Sequence, residues 1–285
     1  MSNSSSQKIA IITGTSSGIG LHTAVLLAQS GFTVIAIMRD TTKAGPLQEL
    51  AEQAWVSLSV RQLNVQDEVS IANCVQAVMR DYGRIDLLVN NAGAGYLGSL
   101  EQTSMADLRG TMEVNFFGVW AVTQAVFPLM RAAEAGRIVT VTSVGGLIGQ
   151  PLNDAYCAAK FAVEGFMESL APVAQRLGVT VSLVEPGPVN TEFVATVQAT
   201  RTETAPALQA AYGPMTEAYI AATQQTFATL GQSPTEVGRV IVEVATTEKP
   251  HFRYTTSEMI LGLVSRKYVD PTGDSIVALF ASRLP

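Results

Sequence analysis

The chain of 285 residues is long enough for one large domain or two small ones. Apolar residues make up 47% of it and charged residues 15%, which is ample material for a large buried core. The net charge of −6 argues against a nucleic-acid-binding surface and against a polybasic membrane surface. The two cysteines, Cys74 and Cys157, offer no disulfide framework and indicate reduced thiols of a cytoplasmic protein.

Neither a targeting segment nor a membrane span is predicted. Residues 1–8 are polar and serine-rich, so we expect them to be disordered and not to act as a signal peptide. The longest apolar segment, Val114–Met130, is interrupted by Asn115, Thr123 and Gln124, and it is too short and too polar for a span. A helix of this composition is typical of a core or a subunit interface.

Strand and helix patterns alternate along the chain. Short apolar runs predict strands at Ile9–Thr13, Thr33–Met38, Val56–Val65, Ile85–Asn90, Arg137–Ser143 and Thr180–Glu185. Helical patterns lie between them, beginning with Gly18–Ser30 and including one that Asp67 would cap. This alternation predicts a parallel sheet covered on both faces. With no linker or repeat, residues 1–285 are expected to form a single doubly wound α/β domain.

The alternation stops after Pro186. Residues 187–232 are rich in Ala, Thr and Gln and have no strand pattern. A structureless stretch of this length inside a compact domain is usually functional, so we predict a substrate lid. Ser233–Glu236 then has the composition of a helix start, and Arg253–Thr255 is predicted as a last strand.

Tyr156 and Lys160 are four residues apart, and Ser143 precedes them. If 154–177 is a helix, the tyrosine and the lysine are neighbours one turn apart. A nearby ammonium lowers the pKa of a phenol from its ordinary value of about 10, so the phenol could exchange a proton with an alcohol or carbonyl oxygen. Ser143 would hold the same oxygen. Of the seven tyrosines only this one has a lysine four residues later, although the spacing in isolation is typical of chance.

A glycine-rich turn follows the first predicted strand. Gly14, Gly18 and Gly20 have the spacing Gly-x-x-x-Gly-x-Gly, which lets the backbone approach a pyrophosphate at a helix N-terminus. The alternative is a plain strand-to-helix turn. At the end of the second strand, the position where an NAD-binding site usually has a carboxylate is Met38, and Arg39 follows at once, which favours NADP. Asp40 leaves open a pairing with Arg39 or with the ribose, and a solvated Arg–Asp turn is the alternative.

These motifs, in this order, resemble the short-chain dehydrogenase/reductase superfamily. The resemblance extends over nearly all of residues 1–250 and includes Asn90–Gly93 and Pro186–Gly187 with Thr191. It implies a Rossmann-type fold and a catalytic tetrad of Asn115, Ser143, Tyr156 and Lys160. Beyond that tetrad it implies cofactor contacts at the ends of the first three strands (Gly14, Ser16, Ser17, Gly18, Ile19, Gly20, Arg39, Asn64, Val65). It also implies contacts from the later loops (Asn91, Ala92, Gly93, Pro186, Gly187, Val189, Thr191), with Tyr156 and Lys160 in contact as well. Asn64 departs from the Asp that many members carry beside the adenine.

The resemblance also implies a role for each member of the tetrad. Tyr156 is the general acid in reduction and the general base in oxidation. Lys160 lowers the pKa of Tyr156 and holds the nicotinamide ribose, and Ser143 orients the substrate oxygen. Asn115 is expected to hold a water that links Lys160 to solvent. The alternative is a polar side chain satisfied inside an apolar helix.

Several stretches are most similar to the branch of type 1 17β-hydroxysteroid dehydrogenases and photoreceptor-type retinol dehydrogenases. They are Gly18–His22, Met38–Asp40, Ser143–Leu147, Asn153–Ala162 and Lys249–Asp270. This similarity implies NADP(H) and a bulky apolar substrate. The steroid enzyme has a histidine in its lid, whereas the histidines here are His22 and His251, both outside 187–232. The sequence therefore leaves open whether the substrate is a steroid-like or a retinoid-like compound.

The leading hypothesis is an NADP(H)-dependent oxidoreductase that interconverts a hydrophobic ketone or aldehyde and an alcohol. The alternatives are a 3-oxoacyl thioester reductase and a non-catalytic NADP-sensing protein. No Cys, His and carboxylate cluster has metal-ligand spacing, so no metal is expected. The family resemblance and the apolar helices near 104–133 and 154–177 predict a homodimer or homotetramer. The expected lid wall is apolar: Phe193, Val194, Val197, Leu208, Tyr212, Met215, Tyr219 and Phe227.

Overall fold

The computed structural model describes residues 7–191, 205–265, 270, 272–274 and 278. Seven parallel strands form one sheet in the order β3-β2-β1-β4-β5-β6-β7. Their bounds are β1 Ile9–Thr13, β2 Thr33–Met38, β3 Ser59–Gln62, β4 Leu87–Asn90, β5 Gly136–Val141, β6 Val179–Glu185 and β7 Arg253–Thr255. The predicted parallel, doubly wound sheet is confirmed.

Helices cover both faces of this sheet. Among the described residues they are α1 Gly18–Gln29, α2 Gly45–Gln53, α3 Glu68–Tyr82, α4 Met105–Met112, α5 Gly118–Ala132, α6 Asp154–Arg176, α7 Pro206–Leu230, α8 Pro234–Thr246 and α9 Glu258–Val264. Asp67 caps α3 and Ser233 caps α8 through their side chains, as predicted. The helices α2 and α9 were not predicted.

Both faces of the sheet are buried, which explains why the strands have continuous apolar runs. In β1, Ile9 and Ile11 pack on the face covered by α3, α5 and α6. Their neighbours Ala10 and Ile12 pack on the opposite face, against α1, α2 and α8. A strand buried on both sides needs apolar residues at every position. The edge strand β3 is only partly buried and is shorter than the predicted Val56–Val65.

The strand order reverses between β2-β1 and β4-β5. Sequence order runs outward from β1 on one side and from β4 on the other, so the loops after these strands diverge. In an open α/β sheet, ligands bind in the crevice at the carboxyl ends of the strands where this reversal occurs. The fold therefore places the glycine-rich turn and the ends of β4 and β5 around one crevice.

The lid contradicts the prediction of a structureless segment. A 25-residue helix, α7 Pro206–Leu230, occupies its second half, with proline in its first turn. Its described residues bury only Gly213 and Thr216, so its sequence lacks the apolar stripe by which a helix is recognised. Residues 192–204 lie outside the described part of the chain.

The long predicted helix near 104–133 is interrupted. Residues Glu113–Phe117 form a π-helical turn between α4 and α5, and Asn115 lies in the middle of it. Such turns widen a helix by one residue and often occur at functional sites. Within the described ranges, none of the helices has both the length and the hydropathy required to span a bilayer.

Candidate active site

A single elongated cleft runs along the carboxyl ends of the strands. Its volume is about 920 Å³. All the predicted catalytic and cofactor-contacting residues line it: Gly14, Ser16, Ser17, Gly18, Ile19, Gly20, Arg39, Asn64, Val65, Asn91, Ala92, Gly93, Asn115, Ser143, Tyr156, Lys160, Pro186, Gly187, Val189 and Thr191. The structure therefore brings together residues that are far apart in sequence, while their individual contacts with a cofactor stay predictions.

The glycine-rich turn is locked to the loop after β4. Gly14 adopts a φ of +73°, and a Cβ on Gly20 would lie 2.2 Å from the Gly14 carbonyl oxygen. The Thr13 hydroxyl accepts the backbone N–H groups of Asn91 and Ala92, both at 3.0 Å. The Asn91 amide donates back to the Thr13 and Gly14 carbonyls. The result is a side-chain-free cradle at the N-terminus of α1, which fits a dinucleotide pyrophosphate.

The far end of the cleft is cationic. Arg39 and Lys43 line it, and both are exposed. Asp40 does not line it, because its carboxylate accepts the Thr42 N–H at 3.0 Å and the Thr42 hydroxyl at 2.6 Å. These hydrogen bonds hold the pKa of Asp40 below its usual range. Lys43 was not predicted, although its place four residues after Arg39 could have indicated it.

The predicted catalytic residues meet at the end of β5. Ser143 follows this strand, and its hydroxyl hydrogen-bonds Tyr156 on α6. The Nζ atom of Lys160 lies 5.8 Å from the centroid of the Tyr156 ring. It donates to the Val141 carbonyl at 3.2 Å. Tyr156 is 9% exposed and Lys160 5%, so both polar groups are largely shielded from water.

Burial controls the protonation of this pair. It raises the pKa of Tyr156 to about 12, and the hydrogen bond from Ser143 opposes that rise. It lowers the pKa of Lys160 to about 8, against the charge of Glu164. In the ligand-free protein the net shift of the Tyr156 pKa is upward, and the lowering of that pKa by Lys160 stays a prediction. Desolvation of the buried phenol is the largest cause of this upward shift.

Asn115 organises the loop after β4. It is fully buried in the π-helical turn, and its Oδ1 accepts the Ala94 N–H at 3.1 Å. Its Nδ2 donates to the Ala94 carbonyl at 2.8 Å and to the Thr111 carbonyl at 3.0 Å. A Cβ on Gly93 would lie 3.0 Å from Asn115 Oδ1 and 3.6 Å from Lys160 Nζ. The Asn115 side chain is therefore a buried polar group whose hydrogen bonds are satisfied by the backbone, which is the alternative considered for it. Its role in holding a water beside Lys160 stays a prediction.

The loop after β6 forms the wall opposite the catalytic residues. The Pro186 carbonyl accepts the N–H of Val144, which fixes this loop to the segment that follows Ser143. Val189 pairs with Gln232, at the far end of the lid. Thr191 lies against the glycine-rich turn, since a Cβ on Gly18 would be 3.2 Å from its Cγ2.

The lid helix lines the cleft with apolar side chains and also with the polar Thr223, Gln224 and Thr226. Tyr219, Ile220 and Phe227 line it, and the Tyr219 hydroxyl accepts a hydrogen bond from the Asn153 amide at 2.8 Å. Of the other expected wall residues in α7, Leu208 and Tyr212 do not line the cleft, and Met215 is 55% exposed. The remaining three, Phe193, Val194 and Val197, lie outside the described residues.

Comparison with known proteins identifies the family. The family model described as short chain dehydrogenase matches residues 8–202. Retinol dehydrogenase 8 of Bos taurus is 40% identical over 273 residues, which cover 94% of this chain and 87% of that protein. The 17-beta-hydroxysteroid dehydrogenase type 1 of Homo sapiens is 39% identical over 275 residues, covering 94% and 83%. The chain belongs to the short chain dehydrogenase family and is an oxidoreductase. Its predicted similarity to this branch is confirmed.

Solved structures agree on the fold. A short chain dehydrogenase/reductase from Burkholderia phymatum in complex with NAD has a TM-score of 0.80 and 25% identity, covering 93% of this chain and 96% of that one. A metagenomic short-chain oxidoreductase in complex with NADP has a TM-score of 0.68 and 25% identity, covering 87% and 96%. Neighbours of equal identity hold different dinucleotides, so the choice between them depends on this chain's own residues.

Replacing Lys160 by methionine should stabilise the folded protein at neutral pH. The pKa of about 8 in the folded state lies below the 10.5 of an unperturbed lysine. Burial of the ammonium therefore costs stability below pH 8, and this cost is relieved as the pH rises from 8 toward 10.5. We expect Lys160→Met to raise the free energy of unfolding at pH 7 by up to about 3 kcal/mol.

The measurement is chemical denaturation of both proteins between pH 7 and pH 10. The gain should shrink steadily over this interval, while the pKa of Tyr156, about 12, lies above it. Lys249→Met, at an exposed lysine, is the control and should show no such trend. A gain that does not vary with pH would contradict the assignment.

Proposed function

We propose that the protein is an NADP(H)-dependent oxidoreductase that interconverts a hydrophobic ketone or aldehyde and the corresponding alcohol. Tyr156 acts as the general acid in reduction and the general base in oxidation. The observation that carries the proposal is the buried, hydrogen-bonded pair of Tyr156 and Ser143 beside Lys160, in a cleft with a cationic end and an apolar wall.

Ser143, Tyr156 and Lys160 each have a separate role in proton transfer. A bound nicotinamide supplies or accepts the hydride. The Ser143 hydroxyl donates a hydrogen bond to the substrate oxygen and stabilises the charge that develops there. The Tyr156 phenol, protonated at neutral pH, delivers its proton to the same oxygen. Lys160 places a positive charge near the phenol, which favours the phenolate left after proton transfer.

The support for NADP is the cationic end of the cleft. Arg39 and Lys43 line it, and neither has an ion pair within the described part of the chain. Asp40 accepts two hydrogen bonds from Thr42, which favours a ribose site without a carboxylate directed to it, although the charges of Lys43 and Arg39 also act on this carboxylate. A ribose 2′-phosphate would meet two cations there, while an unphosphorylated ribose would find no carboxylate directed to it.

The support for a hydrophobic substrate is a group of apolar side chains in the cleft that also contains Tyr156. Leu97, Val144, Ile220 and Phe227 line this cleft, while Glu217 on the lid helix is exposed and does not line it. A wall of this kind selects by shape and area, and each buried methylene contributes about 0.8 kcal/mol. We therefore expect a permissive preference for bulky ketones or secondary alcohols over small polyols. The names of the two relatives, a retinol and a hydroxysteroid dehydrogenase, are consistent with this class.

The support for a homodimer, or a homotetramer built from dimers, is an aromatic surface on α5 and α6. Trp120 stacks on Phe166 with ring centroids 4.4 Å apart, yet it remains 43% exposed. Phe117 beside it is 49% exposed and Phe161 36%. A contiguous apolar patch of this kind marks an interaction site.

Tyr156→Phe should remove most of the turnover while leaving NADPH binding intact. The phenol is the group that transfers the proton, and such groups contribute about 10²–10⁴-fold to the rate. The assay is nicotinamide absorbance with a panel of apolar ketones, aldehydes and small polyols, with NADPH affinity measured by fluorescence. Unchanged turnover would refute the mechanism. NADPH binding without turnover of any substrate by the wild type would instead favour a sensing protein.

Arg39→Ala should weaken NADPH binding by about tenfold or more and leave NADH binding within about twofold. The reason is the loss of a charged hydrogen bond worth about 1.5–3 kcal/mol. Arg39→Lys is the matched control, because it keeps the charge and should retain most of the preference. Equal losses for both nucleotides would show that Arg39 only shapes the turn after β2.

Trp120→Asp should convert the assembly to monomers, because it places a charge in the centre of the aromatic surface. The wild type should have the mass of a dimer or tetramer in light scattering at micromolar concentration. Trp55→Asp is the control, since Trp55 is 95% exposed at the end of α2, on the other face of the sheet. A monomeric wild type, or an effect of the control equal to that of Trp120→Asp, would contradict the proposed interface.

A further inference from the structure

A second cluster of charged side chains lies directly behind the catalytic residues. Glu164 follows Lys160 by one turn of α6 and is 5% exposed, and Glu185 at the end of β6 is fully buried. Arg253 on β7 reaches both acids: its Nε lies 3.1 Å from Oε2 of Glu164 and 3.2 Å from Oε1 of Glu185. Its Nη2 lies 2.5 Å from Oε2 of the more exposed Glu168. Three acids therefore share one guanidinium.

The two buried acids differ in the hydrogen bonds that they accept. The Thr142 hydroxyl donates to Glu164 Oε1 at 2.6 Å, and the single Nε hydrogen of Arg253 goes to Oε2. Among the described residues, neither carboxylate oxygen of Glu185 accepts a hydrogen bond. A buried carboxylate without donors is costly. Burial accordingly raises the pKa of Glu185 well above its usual range. Burial also raises the pKa of Glu164, but the charge of Arg253 and the hydrogen bonds from Thr142 and Arg253 oppose that rise, so the charged form is favoured at Glu164 over Glu185.

Glu164 is connected to both halves of the catalytic site. Its hydrogen-bond partner Thr142 immediately precedes Ser143, so the carboxylate fixes the end of β5 from which the serine projects. Lys160 is its neighbour one turn earlier on α6, where opposite charges attract. A Cβ on Gly146 would lie 3.1 Å from Glu164 Cγ and from the Lys160 carbonyl oxygen, so the two residues are packed together against this loop.

We propose that Glu164 is a positioning residue for the reaction: oriented by Arg253, its carboxylate fixes Ser143 and keeps Lys160 in the ammonium form. This inference rests on the proposed function, and Glu164 acts through its neighbours without touching the substrate. The titratable and charged groups packed around it are Lys160 and Glu168 on α6, Glu185 on β6 and Arg253 on β7.

The direct test is an NMR titration of Lys160 in the ligand-free protein, with lysine labelled at Cε with carbon-13. The sequence has five lysines, and the Lys160 resonance is the one that Lys160→Met removes. We expect Glu164→Gln to lower the titration midpoint of Lys160 by about one pH unit, because the attraction of a neighbouring negative charge is lost. An unchanged midpoint would overturn the proposal.

Two matched amide variants separate charge from packing. Glu185→Gln makes the same change in the other buried acid, whose raised pKa favours the neutral form, so the Lys160 midpoint should move much less than in Glu164→Gln. Glu168→Gln removes a different partner of Arg253 and should also leave the midpoint in place. A shift in either variant as large as that in Glu164→Gln would show that the effect comes from Arg253 or from general disturbance of the cluster.

The positioning half of the proposal is tested by Thr142→Val, which removes the hydroxyl and keeps the Glu164 charge. We expect kcat to fall about tenfold with KM little changed, because Ser143 is displaced, while the Lys160 midpoint stays near the wild-type value. Wild-type kcat would contradict this half. If Glu164→Gln does not fold, Glu164→Asp replaces it. It keeps the charge but withdraws from Thr142, so it should behave as Thr142→Val does, and a lowered midpoint with normal kcat would overturn the proposal.

Failure of this inference and failure of the proposed function give different results. The NMR titration needs neither cofactor nor substrate, so its outcome stands even if no turnover is found. In the active enzyme, Glu164→Gln should move the alkaline limb of the pH dependence of kcat to lower pH by the amount seen in the NMR titration. A fixed limb with a shifted midpoint would show that the charge of Lys160 does not limit the reaction.

Discussion

The exclusion of water from Tyr156 and Lys160 is the constraint on which the rest of the site depends. Both side chains lie at the carboxyl end of β5, and desolvation moves their pKa values apart, to about 12 and about 8. The phenol is thereby kept as an acid and the ammonium is close to losing its proton at neutral pH. The surrounding groups compensate for that burial. The Val141 carbonyl takes a hydrogen bond from the ammonium, the Ser143 hydroxyl bonds the phenol, and Glu164 supplies a negative charge.

The fold places the buried Tyr156 and Lys160 in a cleft whose two ends differ in character. Because the strand order reverses at β1 and β4, the loops after these strands separate and leave a cleft between them. Arg39 after β2 makes one end cationic, and the lid helix makes the other end apolar through Tyr219 and Phe227. The catalytic pair stands between them. The cationic end would suit a phosphorylated dinucleotide, and the apolar end would suit an apolar alcohol or ketone.

Sequence patterns predicted the strands that are buried on both faces of the sheet, because such strands consist of apolar residues throughout. The bounds of β1 and β2 follow from runs of apolar residues, and α6, Asp154–Arg176, agrees with the helix over 154–177 that the spacing of Tyr156 and Lys160 requires. The lid helix was missed because it buries little of its own surface. The pKa of Tyr156 could not be predicted from its spacing to Lys160, since desolvation depends on everything packed around the phenol. Arg253 is likewise 89 residues from Glu164 in sequence, and only the fold brings the two together.

The central claim is that burial, more than the neighbouring ammonium, sets the protonation of Tyr156. The most direct measurement is the ultraviolet absorbance of phenolate in the ligand-free protein, titrated for the wild type and for Tyr156→Phe and compared by difference. We predict that no more than about a tenth of Tyr156 is phenolate at pH 11, because its pKa is raised to about 12. A phenolate that is lost in the variant and forms below the ordinary tyrosine pKa of about 10 would contradict this claim.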